Sequence, residues 1–314
     1  MPNPLISIVI PIYNKEFWVT ETLNSVLNQS YRNWECVIID DGSTDQSLEL
    51  VLAYTKKHPA NWIVKTITNS GQSFARNLGI ELSGGDYIAF LDADDLWHPD
   101  KLKTQLDLFL SDPTLELVLS NYVIFRERQF AGFRMIRNGS PRKLVEDWLS
   151  MRGFGGLIES AGMVKRTTLI NFGSFSNELS MAAGLDLCLR IVNSRSSSIA
   201  HEPLVFYRLS DLQYHKNEDV LISDLSIVSK VHSNSPEILD KLKAGHTNYL
   251  YWSQTRSFGR LKFMKRVLLA VLTFDAPRLT MLYFLLSRNF TALCRGVFWH
   301  NQIRRFLGTH RIRG

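Results

Sequence analysis

Cysteine is scarce in this sequence, and no long apolar run is present. The 314 residues include three cysteines, Cys36, Cys188 and Cys294, too widely spaced to suggest a disulfide framework or a zinc site. An odd number of scattered thiols is typical of a reducing compartment. Because the N-terminus has no basic segment followed by a long apolar stretch, we expect no signal peptide. We therefore expect a cytoplasmic protein.

The overall composition is that of an ordinary globular protein. Charged residues make up 21% of the chain and apolar residues 45%. These values exclude disordered, collagen-like and low-complexity classes. The length is sufficient for one large α/β domain, alone or with a smaller attachment, and for a sizeable core.

Charge is distributed unevenly along the chain. Residues 256–314 contain twelve Lys and Arg and a single acid, Asp275, whereas residues 1–255 contain 24 basic and 29 acidic residues. The net charges of these two parts are therefore +11 and −5. A basic segment attached to a mildly acidic body predicts an anionic partner, either a membrane surface or a nucleic acid.

The basic segment also contains two apolar stretches, Val267–Phe274 and Leu279–Leu286. Each has eight residues, well short of the roughly 20 that a membrane-spanning helix needs. We predict a helical hairpin, either packed on the protein or anchored at the membrane interface, and the concentrated positive charge favours the anchor. We accordingly expect a domain over residues 1–215 and a basic, helical, membrane-associating extension over residues 216–314.

Strand and helix patterns alternate over the first 125 residues. The apolar segments that we predict as strands are Leu5–Ile10, Glu35–Asp40, Trp62–Ile67, Asp86–Leu91 and Leu115–Phe125. Helical periodicity separates them, for example over residues 15–30 and Gln72–Leu82. This alternation predicts an α/β fold with a mostly parallel sheet flanked by helices.

Polar side chains follow three of the predicted strands. Tyr13 and Asn14 follow the first, Asp40 and Asp41 end the second, and residues 92–95 follow the fourth. Ligands of open parallel sheets bind beyond the carboxyl ends of the strands. We therefore predict a ligand site at this edge.

The acidic segment after the fourth strand has the chemistry of a metal site. Asp92 and Asp94 offer the hard oxygen ligands that Mg²⁺ and Mn²⁺ prefer, and a cation there would neutralise a leaving diphosphate. An Asp-rich turn that caps the helix near Pro99 is the alternative. We prefer the metal site because Asp40–Asp41 and Arg76 are predicted to lie nearby, which together suggests a nucleotide-diphosphate site.

Four segments at the strand ends form one ordered set. They are residues 9–14 (VIPIYN), 39–45 (IDDGSTD), 69–77 (NSGQSFARN) and 91–99 (LDADDLWHP). Together they resemble the nucleotide-sugar-binding domain of glycosyltransferase family 2, closely over the first third of the chain and weakly as far as Tyr207. The resemblance implies a GT-A type fold and transfer of a sugar from a nucleotide donor with inversion at the anomeric carbon.

The resemblance also implies roles for individual residues. Those expected at the donor are Pro11, Tyr13, Asn14, Asp40, Asp41, Arg76 and Asp92. The first three would line the nucleotide pocket, the two adjacent aspartates would face the base, the arginine the base or diphosphate, and Asp92 the ribose. Asp94 would bind Mn²⁺ or Mg²⁺. For Asp95, Trp97 and His98 we expect helix capping, packing and a surface imidazole, respectively.

The general base is the main departure from the family pattern. An inverting displacement needs a base to take the proton of the acceptor hydroxyl, and the family usually places it in a Glu-Asp pair. Here the pair is replaced by Ala183-Gly184, so the expected position, Gly184, has no side chain. Asp186 is the nearest carboxylate, but two residues of helix turn it by about 200°, which favours pairing with a basic residue. The other candidate bases are Glu159, Glu178, His201 and His215.

The resemblance predicts a transferase in surface polysaccharide synthesis that uses a UDP-sugar and a glycan or lipid-linked acceptor at the inner face of the membrane. A donor-binding but catalytically impaired homologue, acting as a partner or regulatory subunit, is the alternative that Ala183-Gly184 suggests. The pI of about 9.2 suggests a nucleic-acid-binding protein. Since no recognised nucleic-acid module is present, we expect no nucleic-acid partner.

Overall fold

The computed structural model describes residues 3–126, 129–134, 159–192, 196–208 and 218–232. The strands are β1 (Ile6–Ile12), β2 (Trp34–Asp40), β3 (Trp62–Thr66), β4 (Tyr87–Phe90), β5 (Leu96–Trp97), β6 (Leu115–Arg126), β7 (Gln129–Arg134), β8 (Met163–Lys165) and β9 (Ser196–Arg208). The helices are α1 (Val19–Leu27), α2 (Ser47–Lys57), α3 (Gln72–Leu82), α4 (Lys101–Ser111), α5 (Arg166–Phe172), α6 (Ala183–Val192) and α7 (Glu218–Val231). The predicted apolar hairpin and His215 lie outside the described residues.

The strands form one mixed sheet in the order β3-β2-β1-β4-β8-β6-β9-β5, with β7 paired to β6. The first four strands of the chain pair in parallel, as predicted. β8 then pairs antiparallel to both β4 and β6, while β6 and β9 are parallel to each other. This mixed sheet flanked by helices confirms the GT-A type fold that the resemblance implied.

The N-terminal strands are buried along their length. β1 is buried at all seven positions and β2 at six of seven, as expected for parallel strands covered by helices on both faces. Gly79 allows α3 to lie close to β1, because a Cβ at this position would collide with the Val9 side chain. The helix is thereby placed with its N-terminal end beside the polar loops that follow the strands.

Helix α1 is shorter than the predicted segment 15–30. The backbone N–H groups of Lys15 and Glu16 donate to the side chains of Ser47 and Asp45, at 2.6 and 3.1 Å. These acceptors at the start of α2 hold residues 15 and 16 outside the helix, which begins at Val19. The loops after β1 and β2 are therefore tied to each other.

Helix α7, from the predicted C-terminal extension, packs onto the domain. One carboxylate oxygen of Asp224 accepts hydrogen bonds from the backbone N–H groups of Ser180, Met181 and Ala182, at 2.6–2.9 Å, just before α6 begins. Among the helices of the described ranges, none is long and apolar enough to cross a bilayer.

Candidate active site

The loops that follow β1 and β2 meet at the predicted edge of the sheet. The Asn14 side-chain oxygen accepts a hydrogen bond from the Thr44 N–H at 2.8 Å, and the Asn14 N–H donates to Ser43 Oγ at 3.1 Å. Asn14 adopts a positive φ of 53°, a conformation that asparagine tolerates better than most residues. Tyr13 is exposed beside it, whereas Pro11 is buried within β1. The structure thus places Tyr13 and Asn14 at the rim of the site.

The two aspartates that end β2 are both buried. The carboxylate of Asp41 accepts hydrogen bonds from the backbone N–H groups of Ser70 and Gly71, at 2.6 and 2.9 Å. Asp40 Oδ1 receives only a long contact of 3.4 Å from the Ser43 N–H, and Oδ2 finds no partner in the described part of the chain. Asp41 therefore fixes the turn before α3, and its neighbour contributes an unsatisfied buried oxygen.

Arg76 and Asp92 form an ion pair, as their predicted proximity suggested. The distance from Arg76 Nη2 to Asp92 Oδ1 is 2.6 Å, and the guanidinium also lies 5.3 Å from the centre of the Phe175 ring. The arginine is buried, while the Asp92 side chain is partly open to solvent. The Asp92 N–H donates to Ser160 Oγ at 3.0 Å. The buried arginine thus orients the partly exposed Asp92 carboxylate.

Asp94 is paired with a lysine that sequence analysis did not single out. Lys15 Nζ lies 2.5 Å from Asp94 Oδ2, with side-chain exposures of 22% and 7%, respectively. The only sequence signal for Lys15 is its position directly after Tyr13-Asn14, at the predicted sheet edge that also holds the acidic loop, residues 92–95. The carboxylate expected to hold a metal ion therefore already contacts a protein cation.

Asp95 does not cap a helix, contrary to our expectation. It is fully buried, and its Oδ1 accepts a hydrogen bond from the Arg208 N–H at 2.9 Å. Burial, with the nearby charges of Asp94 and Asp92, raises the pKa of Asp95 well above its usual range. Trp97 is buried as expected, and His98 is partly exposed. The acidic loop is thus held from inside the protein.

Arg208, at the end of β9, is the second residue that sequence analysis missed. Its Nε–H donates to the Asp94 carbonyl oxygen at 2.7 Å, and Nη2 donates to Glu21 Oε2 at 2.6 Å. The guanidinium also lies 4.6 Å from the centre of the Phe125 ring. A basic residue that ends an apolar strand was the available signal. Arg208 thereby fixes the backbone that presents Asp94.

Asp186 lies in the pairing arrangement that we favoured over catalysis. Its Oδ2 is 2.8–2.9 Å from the guanidinium nitrogens of Arg190, and its Oδ1 is 3.0 Å from His232 Nε2 at the end of α7. Arg190 also donates to the backbone oxygens of residues 172–174. This network joins α6 to α7, which indicates a structural role for the carboxylate.

The remaining candidate bases occupy different environments. Glu178 and His201 are exposed. Glu159 is 9% exposed and lies against Gly184, where a Cβ would collide with its carboxylate. The structure therefore brings a carboxylate to the position where the sequence lacks one.

The ion pair of Asp186 predicts a pH-dependent stability. Burial alone would raise its pKa, but the His232 hydrogen bond and the Arg190 charge outweigh burial and lower it. The stabilisation is therefore fully present above the unfolded-state pKa of about 3.9 and is lost as pH falls through the lower folded-state value. We expect Asp186→Asn to lower the free energy of unfolding by about 2–4 kcal/mol at pH 7 and by progressively less as the pH falls below about 4, measured by urea unfolding. A difference that grows on acidification would contradict this assignment.

The carboxylates at the site suit a cation that takes most of its ligands from a bound diphosphate. Over the described residues, no three His, Cys, Asp or Glu side chains are close enough together to enclose a metal ion. Asp94 nevertheless offers hard oxygen atoms next to the partly open Asp92. Mg²⁺ sites on phosphate substrates commonly use one or two carboxylates plus phosphate oxygens. The residues present therefore fit such an ion.

Several curated proteins are similar in sequence to this chain, among them the following two. An uncharacterized glycosyltransferase of Haemophilus influenzae is 46% identical over 225 residues, which covers 69% of this chain and 84% of that protein. The Escherichia coli UDP-Glc:alpha-D-GlcNAc-diphosphoundecaprenol beta-1,3-glucosyltransferase WfgD is 34% identical over 179 residues, 56% of this chain and 65% of that protein.

The solved structures that share this fold include the following two, and a family profile also matches the chain. TarS 1–349 of Staphylococcus aureus in complex with UDP-GlcNAc has a TM-score of 0.63 at 20% identity and covers 78% of this chain and 73% of its own. The Pyrobaculum calidifontis mannosyltransferase PcManGT, in complex with GDP-Man and Mn²⁺, has a TM-score of 0.60 at 17% identity and covers 98% and 86%. The profile of Glycosyl transferase family 2 matches residues 7–166. This chain therefore belongs to glycosyl transferase family 2 and is a glycosyltransferase.

Proposed function

We propose that this glycosyltransferase transfers a sugar from a nucleoside-diphosphate donor, first of all a UDP-sugar, to a lipid-linked glycan, with inversion at the anomeric carbon. The proposal rests on two carboxylates at one edge of the sheet. Asp92 contacts Arg76 and Asp94 contacts Lys15. Asp41 lies at the same edge. A negatively charged diphosphate fits such a site, because the basic side chains and a divalent ion bound to these carboxylates can both neutralise its charge.

The base of the nucleotide would be bound at the end of β2. Both oxygens of Asp41 accept backbone hydrogen bonds, and each retains a lone pair that can accept another from a ring N–H. Uracil offers such an N–H donor, and UDP-linked donors appear in the names of WfgD and the TarS complex. Pro11, Tyr13, Asn14 and Asp40 would complete the pocket, and Asp92, oriented by Arg76, would face the ribose.

Asp94 would hold the divalent ion, Mn²⁺ or Mg²⁺. When bound, the ion supplies neutralisation of the charge that develops on the departing diphosphate. Lys15 places a positive charge at the same carboxylate and shares this task or competes for it. The Mn²⁺ in the PcManGT complex supports the use of an ion by this fold.

A lipid-linked acceptor is supported by the name of WfgD and by the charge distribution of this chain. The acceptor in that name is a sugar on diphosphoundecaprenol, a membrane lipid. Residues 256–314, with a net charge of +11, would bind the anionic membrane surface where such acceptors are found. Surface polysaccharide synthesis is the process in which this reaction would take part.

The function is tested by calorimetry and by a transfer assay. We expect UDP to bind more tightly in Mn²⁺ than in EDTA, and more tightly than ADP or GDP. Radiolabelled UDP-glucose, UDP-galactose and UDP-GlcNAc are then incubated with bacterial lipid extract or with GlcNAc-diphosphoundecaprenol, and label should enter the lipid fraction. A protein that binds no nucleoside diphosphate would contradict the proposal. Binding without transfer would identify the impaired homologue that Gly184 suggests.

The membrane role of the extension gives a separate prediction. Deletion of residues 256–314 should reduce binding to vesicles containing 30% phosphatidylglycerol, because the net charge of +11 is removed. Sedimentation with vesicles at low and high salt measures this. The matched control is the full chain with neutral phosphatidylcholine vesicles, which should bind weakly. Equal binding of both proteins to the anionic vesicles would exclude the anchor.

A further inference from the structure

The carboxylate of Glu159 fills the space that a side chain at position 184 would need. A Cβ built on Gly184 would collide with both carboxylate oxygens and with the Cδ of Glu159. An aspartate at position 184 would carry its carboxylate one carbon beyond that Cβ. The carboxylate of Glu159 therefore lies almost where the family pattern puts the carboxylate of the base, and a side chain at 184 would exclude it.

The backbone on both sides of this contact is fixed to the donor site. Ser160, which follows Glu159, accepts the Asp92 N–H on its Oγ at 3.0 Å, and its carbonyl oxygen accepts the Trp97 indole N–H at 2.9 Å. Before α6, the Leu179 carbonyl oxygen accepts the Ser73 hydroxyl of α3 at 2.9 Å. Glu159 is thus held between the acidic loop and the start of α6.

The surroundings of Glu159 suit a carboxylate that accepts a proton. Gly184 lies in the first turn of α6, where the positive end of the helix dipole favours the ionised form. Two other acids lie at this helix end: Asp186 pairs with Arg190 and His232, and one oxygen of Asp224 accepts three backbone N–H groups. Burial, with the charge of Glu159, raises the pKa of the Cys188 thiol, which keeps that group protonated and excludes it as a base.

We propose that Glu159 is the catalytic base of this transferase and replaces the aspartate that Gly184 lacks. The inference rests on the proposed function. A carboxylate oxygen of Glu159 takes the proton of the acceptor hydroxyl while the hydroxyl oxygen bonds to the anomeric carbon. The bond from this carbon to the diphosphate oxygen breaks, and its electron pair leaves with the nucleoside diphosphate. Glu159 then releases the proton to water. Gly184 is required because it leaves room for the base.

The first test replaces the base without changing its shape. Glu159→Gln should lower kcat by about 10²–10⁴-fold, the usual contribution of a general base, with an unchanged KM for the UDP-sugar. UDP binding in Mn²⁺, measured by calorimetry, should also be unchanged and shows that the variant is folded. Glu81→Gln, an exposed position on α3, is the matched control and should retain full activity.

The second test moves the base to the family position. Glu159→Gly alone should be inactive, and Gly184→Asp alone should lose activity because the new side chain displaces Glu159. The double variant Glu159→Gly/Gly184→Asp should regain at least tenfold over Glu159→Gly. Gly184→Ala adds no acid and should lower kcat while leaving UDP affinity intact, although Ala is favoured over Gly in helices.

The outcomes separate this inference from the proposed function. If Glu159→Gln turns over like the wild type, the inference is overturned while the transferase function stands. If the wild type binds UDP but transfers no sugar to any acceptor, both are overturned. A third outcome is that Glu159→Gln abolishes sugar transfer while the double variant regains none. Glu159 would then have a role that a side chain at position 184 cannot take over, and this result would contradict the inference that the two positions share one space.

Discussion

Asp94→Asn is expected to reduce sugar transfer by about 10²–10³-fold. An amide oxygen is a weaker ligand than a carboxylate, and the loss of several kcal/mol of charge neutralisation at the diphosphate corresponds to a change of this size. Mn²⁺ should then no longer strengthen UDP binding in calorimetry. The matched control is Asp107→Asn on α4, a substitution at an exposed aspartate that also pairs with a lysine. Activity within threefold of the wild type would exclude Asp94 as the metal ligand.

Lys15→Met should affect metal affinity in the opposite direction. The Lys15 ammonium lies 2.5 Å from Asp94 Oδ2, so it competes with a divalent ion for that oxygen and repels it. We expect the variant to bind Mn²⁺ alone about tenfold more tightly, measured by electron paramagnetic resonance. The metal-free variant should have a lower melting temperature than the metal-free wild type, because the largely buried Asp94 carboxylate has lost the Lys15 ammonium. Addition of Mn²⁺ should restore the melting temperature. Weaker Mn²⁺ binding would show that the lysine supports the ion.

The strand ends could be predicted from sequence because they depend on local patterns. β2 was expected at Glu35–Asp40 and is found at Trp34–Asp40, and β4 was expected at Asp86–Leu91 and is found at Tyr87–Phe90. Continuous apolar runs bounded by polar turns determine both. The carboxyl ends of neighbouring parallel strands lie at one edge of the sheet. The meeting of the loops that follow these strands could therefore also be predicted from sequence.

Contacts between distant segments could not be predicted in the same way. Arg208 and Asp94 are 114 residues apart, and no periodicity in the sequence relates them. The antiparallel insertion of β8 between β4 and β6 likewise depends on pairings that local propensity does not determine. At position 184 the sequence showed a missing carboxylate, but only the packing shows which side chain fills the space.

Arg208→Met is expected to lower the free energy of unfolding by about 3–5 kcal/mol. The substitution removes donors to the Asp94 carbonyl oxygen and to Glu21, and it removes the positive charge that the largely buried Arg208 side chain places on Glu21. Urea unfolding at pH 7 measures the change. Because the same guanidinium fixes the backbone of Asp94, the affinity for UDP in Mn²⁺ should fall together with stability, even at temperatures where the variant is fully folded.

The side-chain geometry of Arg208 provides the control. Arg208→Lys retains the charge but cannot donate in two directions from one planar group, so it should recover only part of the stability. A double-mutant cycle with Glu21→Gln should give a coupling energy of about 1–3 kcal/mol, since Arg208 and Glu21 contact each other directly. If Arg208→Met unfolds within 0.5 kcal/mol of the wild type, the loop must be held by other contacts, and the coupling to UDP affinity should vanish as well.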